Sequence, residues 1–217
     1  RVRGSGAGVP EEESAHLPEA RDPQPGTRPV ETLLLGTPFD FVSQSRVLVP
    51  GWLPEPGNAE SGRNSSELAR MLAALFPATR GRAMVLFTSY GALDEVYRDL
   101  KPDLEAKGLR VLAQGRDGSR ESLLAALHEE ENVVLLATSS FWEGVDVRGS
   151  ALSCLVLARL PFQVWTEPLF KARSELVESR GMSSFMNYSV PEAVLRFRQG
   201  FGRLIRSKTD RGIAVLA

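Results

Sequence analysis

The chain has 217 residues, a formal net charge of −1 and 42% hydrophobic residues, enough for one substantial core plus a tail and too neutral overall to mark a polyanion binder by charge alone. No apolar run approaches the roughly 20 residues that cross a bilayer and no charged-then-apolar leader opens the chain, so a cytoplasmic protein without membrane partners is expected. The single cysteine, Cys154, lies in an apolar run and offers neither a disulfide nor the ligand set of a zinc or iron–sulfur site within this chain.

Residues 1–31 carry Glu11-Glu12-Glu13, several glycines and prolines and few large apolar side chains. Such a segment cannot offset its ordering entropy, and a flexible linker or remnant is expected. Its Gly4-Ser5-Gly6-Ala7-Gly8 follows no strand and lacks the lysine of a phosphate-binding loop. From residue 32 short apolar runs alternate with amphipathic stretches. Thr32–Leu35 and Arg46–Val49 predict strands around the turn Thr37-Pro38-Phe39-Asp40. Asn64 is a predicted N-cap with Glu67 as its capping-box partner, ahead of the stripe Leu68, Met71, Leu72 and Leu75. Ala83–Phe87 reads as a strand, Leu93–Leu104 as a helix burying Leu93, Val96, Leu100 and Leu104, and Arg110–Ala113 as a strand. Ser119 caps a predicted helix with Leu123, Leu124 and Leu127. Strands follow at Val133–Ala137 and Leu152–Ala158, helices at Pro168–Ser179 and Pro191–Ile205, and a strand at Gly212–Leu216. Apolar strands alternating with helices predict an α/β fold over residues 32–217, with a parallel sheet covered on both faces. The chain stops at Ala217 inside an apolar run, and a domain truncated at its C-terminus is expected.

Three stretches carry chemistry. Met84-Val85-Leu86-Phe87-Thr88-Ser89-Tyr90 runs a strand into hydroxyls and a helix start. Ser89 is a plain N-cap, yet hydroxyls and open amides at such a place also bind phosphate. Thr138-Ser139-Ser140-Phe141-Trp142-Glu143-Gly144-Val145-Asp146 follows an apolar strand, so its threonine, glycine and aspartate fall at a strand's C-terminal end, where open α/β sheets bind ligands. Thr138 is a candidate donor to phosphate and Asp146 a candidate acceptor from a ribose hydroxyl. Phe141 and Trp142 are assigned to packing. In Gln199-Gly200-Phe201-Gly202-Arg203-Leu204-Ile205-Arg206, a helix opened by Pro191 places Gln199, Arg203 and Arg206 on one stripe. Two guanidiniums and an amide on one face suit a polyphosphate, because arginine presents a rigid fork of donors that keeps its charge. Gly202, a poor helix former beside them, points to close approach by a ligand or facing domain.

The second and third of these stretches together resemble the fifth and sixth motifs of superfamily 2 helicases of the DinG/XPD-like family. Leu35-Gly36-Thr37-Pro38-Phe39-Asp40, Leu160-Pro161-Phe162 and Pro191-Glu192-Ala193-Val194-Leu195-Arg196-Phe197 extend the likeness. The resemblance implies the second, C-terminal RecA-like motor domain of an ATP-dependent helicase that moves 5′ to 3′ on single-stranded DNA. It implies that Thr88, Ser89 and Thr138 lie on the DNA side and Glu143, Gly144, Asp146 and Gln199 on the nucleotide side, with Arg203 and Arg206 reaching the phosphates. The sequence shows no G-x-x-x-x-G-K-[ST] and no D-E-A-H-like acidic box. ATP and Mg²⁺ are therefore expected on a first motor domain absent from this chain, and the isolated chain is expected to be inactive. Two alternatives stand beside this reading: a non-catalytic nucleic-acid or protein binding module on the same scaffold, and an unrelated nucleotide-binding α/β domain with a degenerate phosphate loop.

Overall fold

The structure, a computed structural model, describes residues 37–54, 61–138, 141 and 151–217, with the backbone alone for Ser61, Gly62, Arg63 and Arg203. The expected tail, the predicted strand Thr32–Leu35 and the stretch Glu143 to Asp146 lie outside the described residues.

Asp40 accepts from the Ser43 N–H and so caps the short helix α1 (Phe41–Gln44), which leads into strand β1 (Ser45–Leu48). Helix α2 spans Ser61–Thr79. It starts three residues before the predicted cap, so Asn64 lies in its first turn and not at its N-cap. Glu67 correspondingly pairs with Arg70 at 3.0 Å on the exposed face instead of closing a capping box. The predicted stripe does face inward: Leu68 and Leu72 are buried, Met71 and Leu75 pack against them, and Phe76 adds a fully buried ring.

Strand β2 (Ala83–Phe87) is buried along its whole length and runs into helix α3 (Tyr90–Glu105), capped by Ser89, which accepts from the Ala92 N–H at 3.3 Å. Leu93, Val96, Leu100 and Leu104 are all fully buried, as their spacing predicts. Burying side chains of this size is worth about 1.5–3 kcal/mol each. Strand β3 (Arg110–Ala113) leads to helix α4 (Arg120–Glu129), where Ser119 accepts from the Ser122 N–H as cap. Strands β4 (Val133–Thr138) and β5 (Cys154–Leu157) follow, then helix α5 (Pro168–Ser179). A π-helical turn, Phe185–Ser189, which no sequence pattern announced, leads into helix α6 (Val190–Leu204) and strand β6 (Gly212–Leu216).

The strands form one parallel sheet in the order β1-β6-β5-β2-β4-β3. Alternate side chains divide between its faces: Val85, Phe87, Val134 and Leu136 pack under α2 and α3, while Met84, Leu86, Leu135 and Ala137 pack with Leu123, Leu127, Leu204 and Ile205 of the opposite layer. Cys154 is part of this core, and burial pushes its thiol pKa up to about 12, the state of an inert packing residue.

Candidate functional site

Because every strand pairing is parallel, all strands end on one rim of the sheet. β2 and β4 are neighbours with Phe87 opposite Thr138, so Thr88 and Ser89, just past β2, stand beside the last residue of β4. Thr88 and Ser89 are exposed, and Thr138 is 5% exposed. The sheet thus gathers the three hydroxyls that the sequence nominated. Ser89 spends a lone pair on the Ala92 N–H, an arrangement that still leaves a hydroxyl its proton to donate. Thr138 is tied to Gln114, the residue after β3: its N–H and its hydroxyl donate to the Gln114 Oε1 at 2.8 and 3.0 Å.

The loop after β3 is clamped onto α3. Asp117 accepts from the Ala113 N–H at 2.8 Å and from the Tyr97 hydroxyl at 2.9 Å. Lys101 donates to the same Tyr97 oxygen at 2.6 Å. Its ammonium and the Arg116 guanidinium lie 4.8 and 5.5 Å from the Tyr97 ring centroid. Burial, partly offset by the Lys101 hydrogen bond, raises the Tyr97 pKa, and the Arg116 hydrogen bond lowers that of Asp94. This framework fixes the position of Gln114.

Sequence reasoning missed three residues on this rim: Gln114, Tyr90 and Arg159. Arg159 follows β5 and lines, with Thr88, a largely apolar cleft of about 540 Å³ that also includes Val49, Leu53, Leu160 and Phe162. Reading the residue after each predicted strand, and not only after two of them, would have nominated Arg159 and Gln114.

The arginine stretch lies at the other rim. Helix α6 runs back along the sheet, anchored by the rings of Phe197, Phe201, Phe41 and Phe39, which contact one another in succession. The segment 205–211 joins its end to Gly212, the start of β6, and Leu204 packs against that glycine. Gln199 is exposed on α6, and Arg203 lies one turn further along the helix. Arg206 departs from the expected single stripe. The helix ends at Leu204 because Ile205 turns to an extended conformation and buries its side chain, leaving Arg206 in the following loop. Asp210 holds that loop, accepting from the Arg206 and Ser207 N–H groups at 2.8 Å each and from the Ser207 hydroxyl at 2.7 Å. The buried Gln44 braces the far side by donating to the carbonyls of Ser207 and Asp210. Among the described residues a Cβ placed on Gly202 would meet nothing within 4 Å, so packing among them does not require the glycine. A second cleft, of about 420 Å³, opens at this rim between Gln44, Thr79, Ser153 and Arg211.

Among the described residues, a six-stranded parallel sheet with helices packed on both faces has the layout of a RecA-like fold. The same fold is found in solved XPD helicases, at a TM-score of 0.59 and 21% identity over 79% of this chain and 31% of that one, and 0.57 and 18% over 80% and 34% for S. tokodaii Xpd4. Residues 72–217 match the family model of the helicase C-terminal domain, and the chain belongs to that family, in its DinG/XPD-like branch of superfamily 2. It is 41% identical over 186 residues to the ATP-dependent DNA helicase YoaA of Haemophilus influenzae, covering 84% of this chain and 28% of that protein. It is 34% identical over 186 residues to the 3′-5′ exonuclease DinG of Bacillus subtilis, covering 85% and 20%. The chain thus spans between a fifth and a third of these curated relatives' length.

Proposed function

We propose that this chain is the second motor domain of an ATP-dependent DNA helicase that moves 5′ to 3′ along single-stranded DNA in the cytoplasm. Its partner is a first RecA-like domain of the same parent protein. The observation that supports the reading is the match to the helicase C-terminal domain family, in a chain that has Thr88, Ser89 and Thr138 at its strand ends and Arg203 and Arg206 at and just after the end of α6.

On the strand-end rim, Thr88 and Ser89 serve the DNA backbone directly, and Thr138, buried with its hydroxyl donating to Gln114, serves it through that residue. Phosphate contacts come from hydroxyls, amides and helix N-termini, and they fix register without reading bases. Gln199, Arg203 and Arg206 serve a nucleotide held across the interdomain cleft, and so, by the family resemblance, do Glu143, Gly144 and Asp146, which lie outside the described residues. Guanidiniums carry donors only and the Gln199 amide adds an NH2 donor beside its carbonyl, so together they can serve phosphate oxygens. Among the described residues no group of His, Cys, Asp or Glu is placed to hold a metal, and in this reading Mg²⁺ and the phosphate cradle belong to the first domain. The bound nucleotide supplies the phosphoryl transfer. Arg203 and Arg206 hold their charge fixed against the oxygens whose charge rises during transfer, and Asp210 keeps the Arg206 backbone in place to do so.

The purified chain alone is expected to show no DNA-stimulated ATP hydrolysis, whereas the full-length parent shows it. Turnover by the isolated chain above a contaminant control defeats the reading.

A further inference from the structure

The hydrogen bonds around Gln114 have a fixed direction. A backbone N–H only donates, so the Gln114 atom 2.8 Å from the Thr138 nitrogen is its carbonyl oxygen, which settles the amide orientation. The Thr138 hydroxyl, 3.0 Å from that same oxygen, must therefore donate to it, which turns its proton inward. The Gln114 Nε2 then faces Tyr90 and donates to its phenolic oxygen at 3.0 Å. Tyr90 accepts in this bond, so its own proton points away from Gln114, on a residue that is 53% exposed. Gly115, in the left-handed conformation at φ +81°, keeps the loop close over the Tyr90 ring; a Cβ there would lie 3.8 Å from it.

The donors thus form a one-way relay, from Thr138 to Gln114 to Tyr90 and outward, and accepting one hydrogen bond polarises the phenol toward donating the next. A phosphodiester oxygen is purely an acceptor, so Tyr90 joins Thr88 and Ser89 as an outward-facing donor on this rim that matches it. We propose that Tyr90 is a further DNA-backbone contact, donating to a phosphate of a strand that runs past Thr88 and Ser89, and that Gln114 is the positioning residue that aims it. Thr138 then acts through Gln114. This rests on the single-stranded-DNA reading of the rim.

The test is fluorescence anisotropy of the full-length parent with a labelled single-stranded oligothymidylate at two salt concentrations. Tyr90→Phe weakens binding about tenfold, the loss of one hydrogen bond to a charged acceptor. The unfolding midpoint stays unchanged, as does the salt slope, because a phenol neutralises no phosphate. Gln114→Leu weakens binding by a similar factor in the wild-type background and by less than about twofold once Tyr90 is Phe, the coupling expected of a residue acting through another. If Gln114→Leu disturbs the loop, Gln114→Glu replaces it: the carboxylate still accepts from Thr138 but makes Tyr90 donate inward, and binding falls again. Unchanged affinity in Tyr90→Phe overturns the proposal, and so does a full, additive loss from Gln114→Leu in the Tyr90→Phe background. The joint Thr88→Ala and Ser89→Ala variant separates the two levels. If it weakens binding while Tyr90→Phe does not, only the Tyr90 assignment falls; if neither weakens it, the DNA-side reading falls too.

Discussion

Asp210→Ala removes the acceptor that shapes the loop between α6 and β6. The carboxylate takes two backbone N–H groups at 2.8 Å and one hydroxyl at 2.7 Å. Hydrogen bonds to a charged acceptor are worth about 1.5–3 kcal/mol each. They share one carboxylate on a half-buried side chain, and neighbouring losses do not add, so the expected cost is about 2–4 kcal/mol. Asp210→Asn retains one oxygen for the amides and is expected to lose about half as much. Burial pushes the Asp210 pKa up, but the Ser207 hydroxyl, the Arg206 and Ser207 amides and the Arg206 charge outweigh it and hold it below its ordinary value of 3.8. A carboxylate depressed in the folded state stabilises above its unfolded value, and that stability disappears as pH falls through the folded value. Urea unfolding of the wild type and both variants across pH measures this. The gap between wild type and Asp210→Ala is constant near neutrality and closes at pH below about 4. A gap under about 0.5 kcal/mol at neutral pH, within the range of an ordinary surface change, would mean that Gln44 and packing alone hold the loop.

Other perturbations read other parts of the molecule. Gly81 terminates α2, its N–H donating to the Phe76 carbonyl, at φ +74°; a Cβ there would lie 2.7 Å from the Asn132 carbonyl carbon. Gly81→Ala is expected to cost about 2–4 kcal/mol in chemical unfolding, from left-handed strain plus backbone displacement, and a cost below about 1 kcal/mol would contradict the packing described. In the full-length parent, Thr88→Ala, Ser89→Ala and Thr138→Ala each weaken single-stranded DNA binding by about 0.5–3 kcal/mol with little change in nucleotide affinity. Anisotropy with several oligonucleotides checks that the loss is uniform across sequences; a loss confined to one sequence would indicate base readout.

Much of the fold was legible because a parallel sheet writes its strands as apolar runs and its helices as periodic stripes. β2, β3, α5 and β6 fall on their predicted bounds for that reason. The α2 start was misplaced because Asn64 and Glu67 satisfy the capping-box spacing, while the chain extends the helix back to Ser61. The π-helical turn Phe185–Ser189 was invisible because one inserted residue in a helix carries no local signature. The rim hydroxyls were predictable, since strand ends follow from strand runs. The link from Gln114 to Thr138 and Tyr90 joins residues 24 apart in sequence and exists only once β3 and β4 pair. Arg206 was assigned to the helical stripe by its spacing from Arg203. What takes it off the helix is the burial of Ile205 and the carboxylate of Asp210, both tertiary effects.

The second-motor-domain reading meets its most direct test in the DNA-stimulated ATPase of the full-length parent carrying Arg206→Ala, with single-strand binding measured on the same preparation. The side chain has a role in turnover only if another domain brings a nucleotide to it. The expected result is loss of most turnover, toward the 10³–10⁵-fold scale roughly associated with arginine fingers in GTPases, with DNA affinity nearly unchanged. Arg206→Lys should restore little, because an ammonium lacks the bidentate fork. Normal turnover in Arg206→Ala and in Arg203→Ala would contradict the reading and leave the end of α6 as a solvated basic surface.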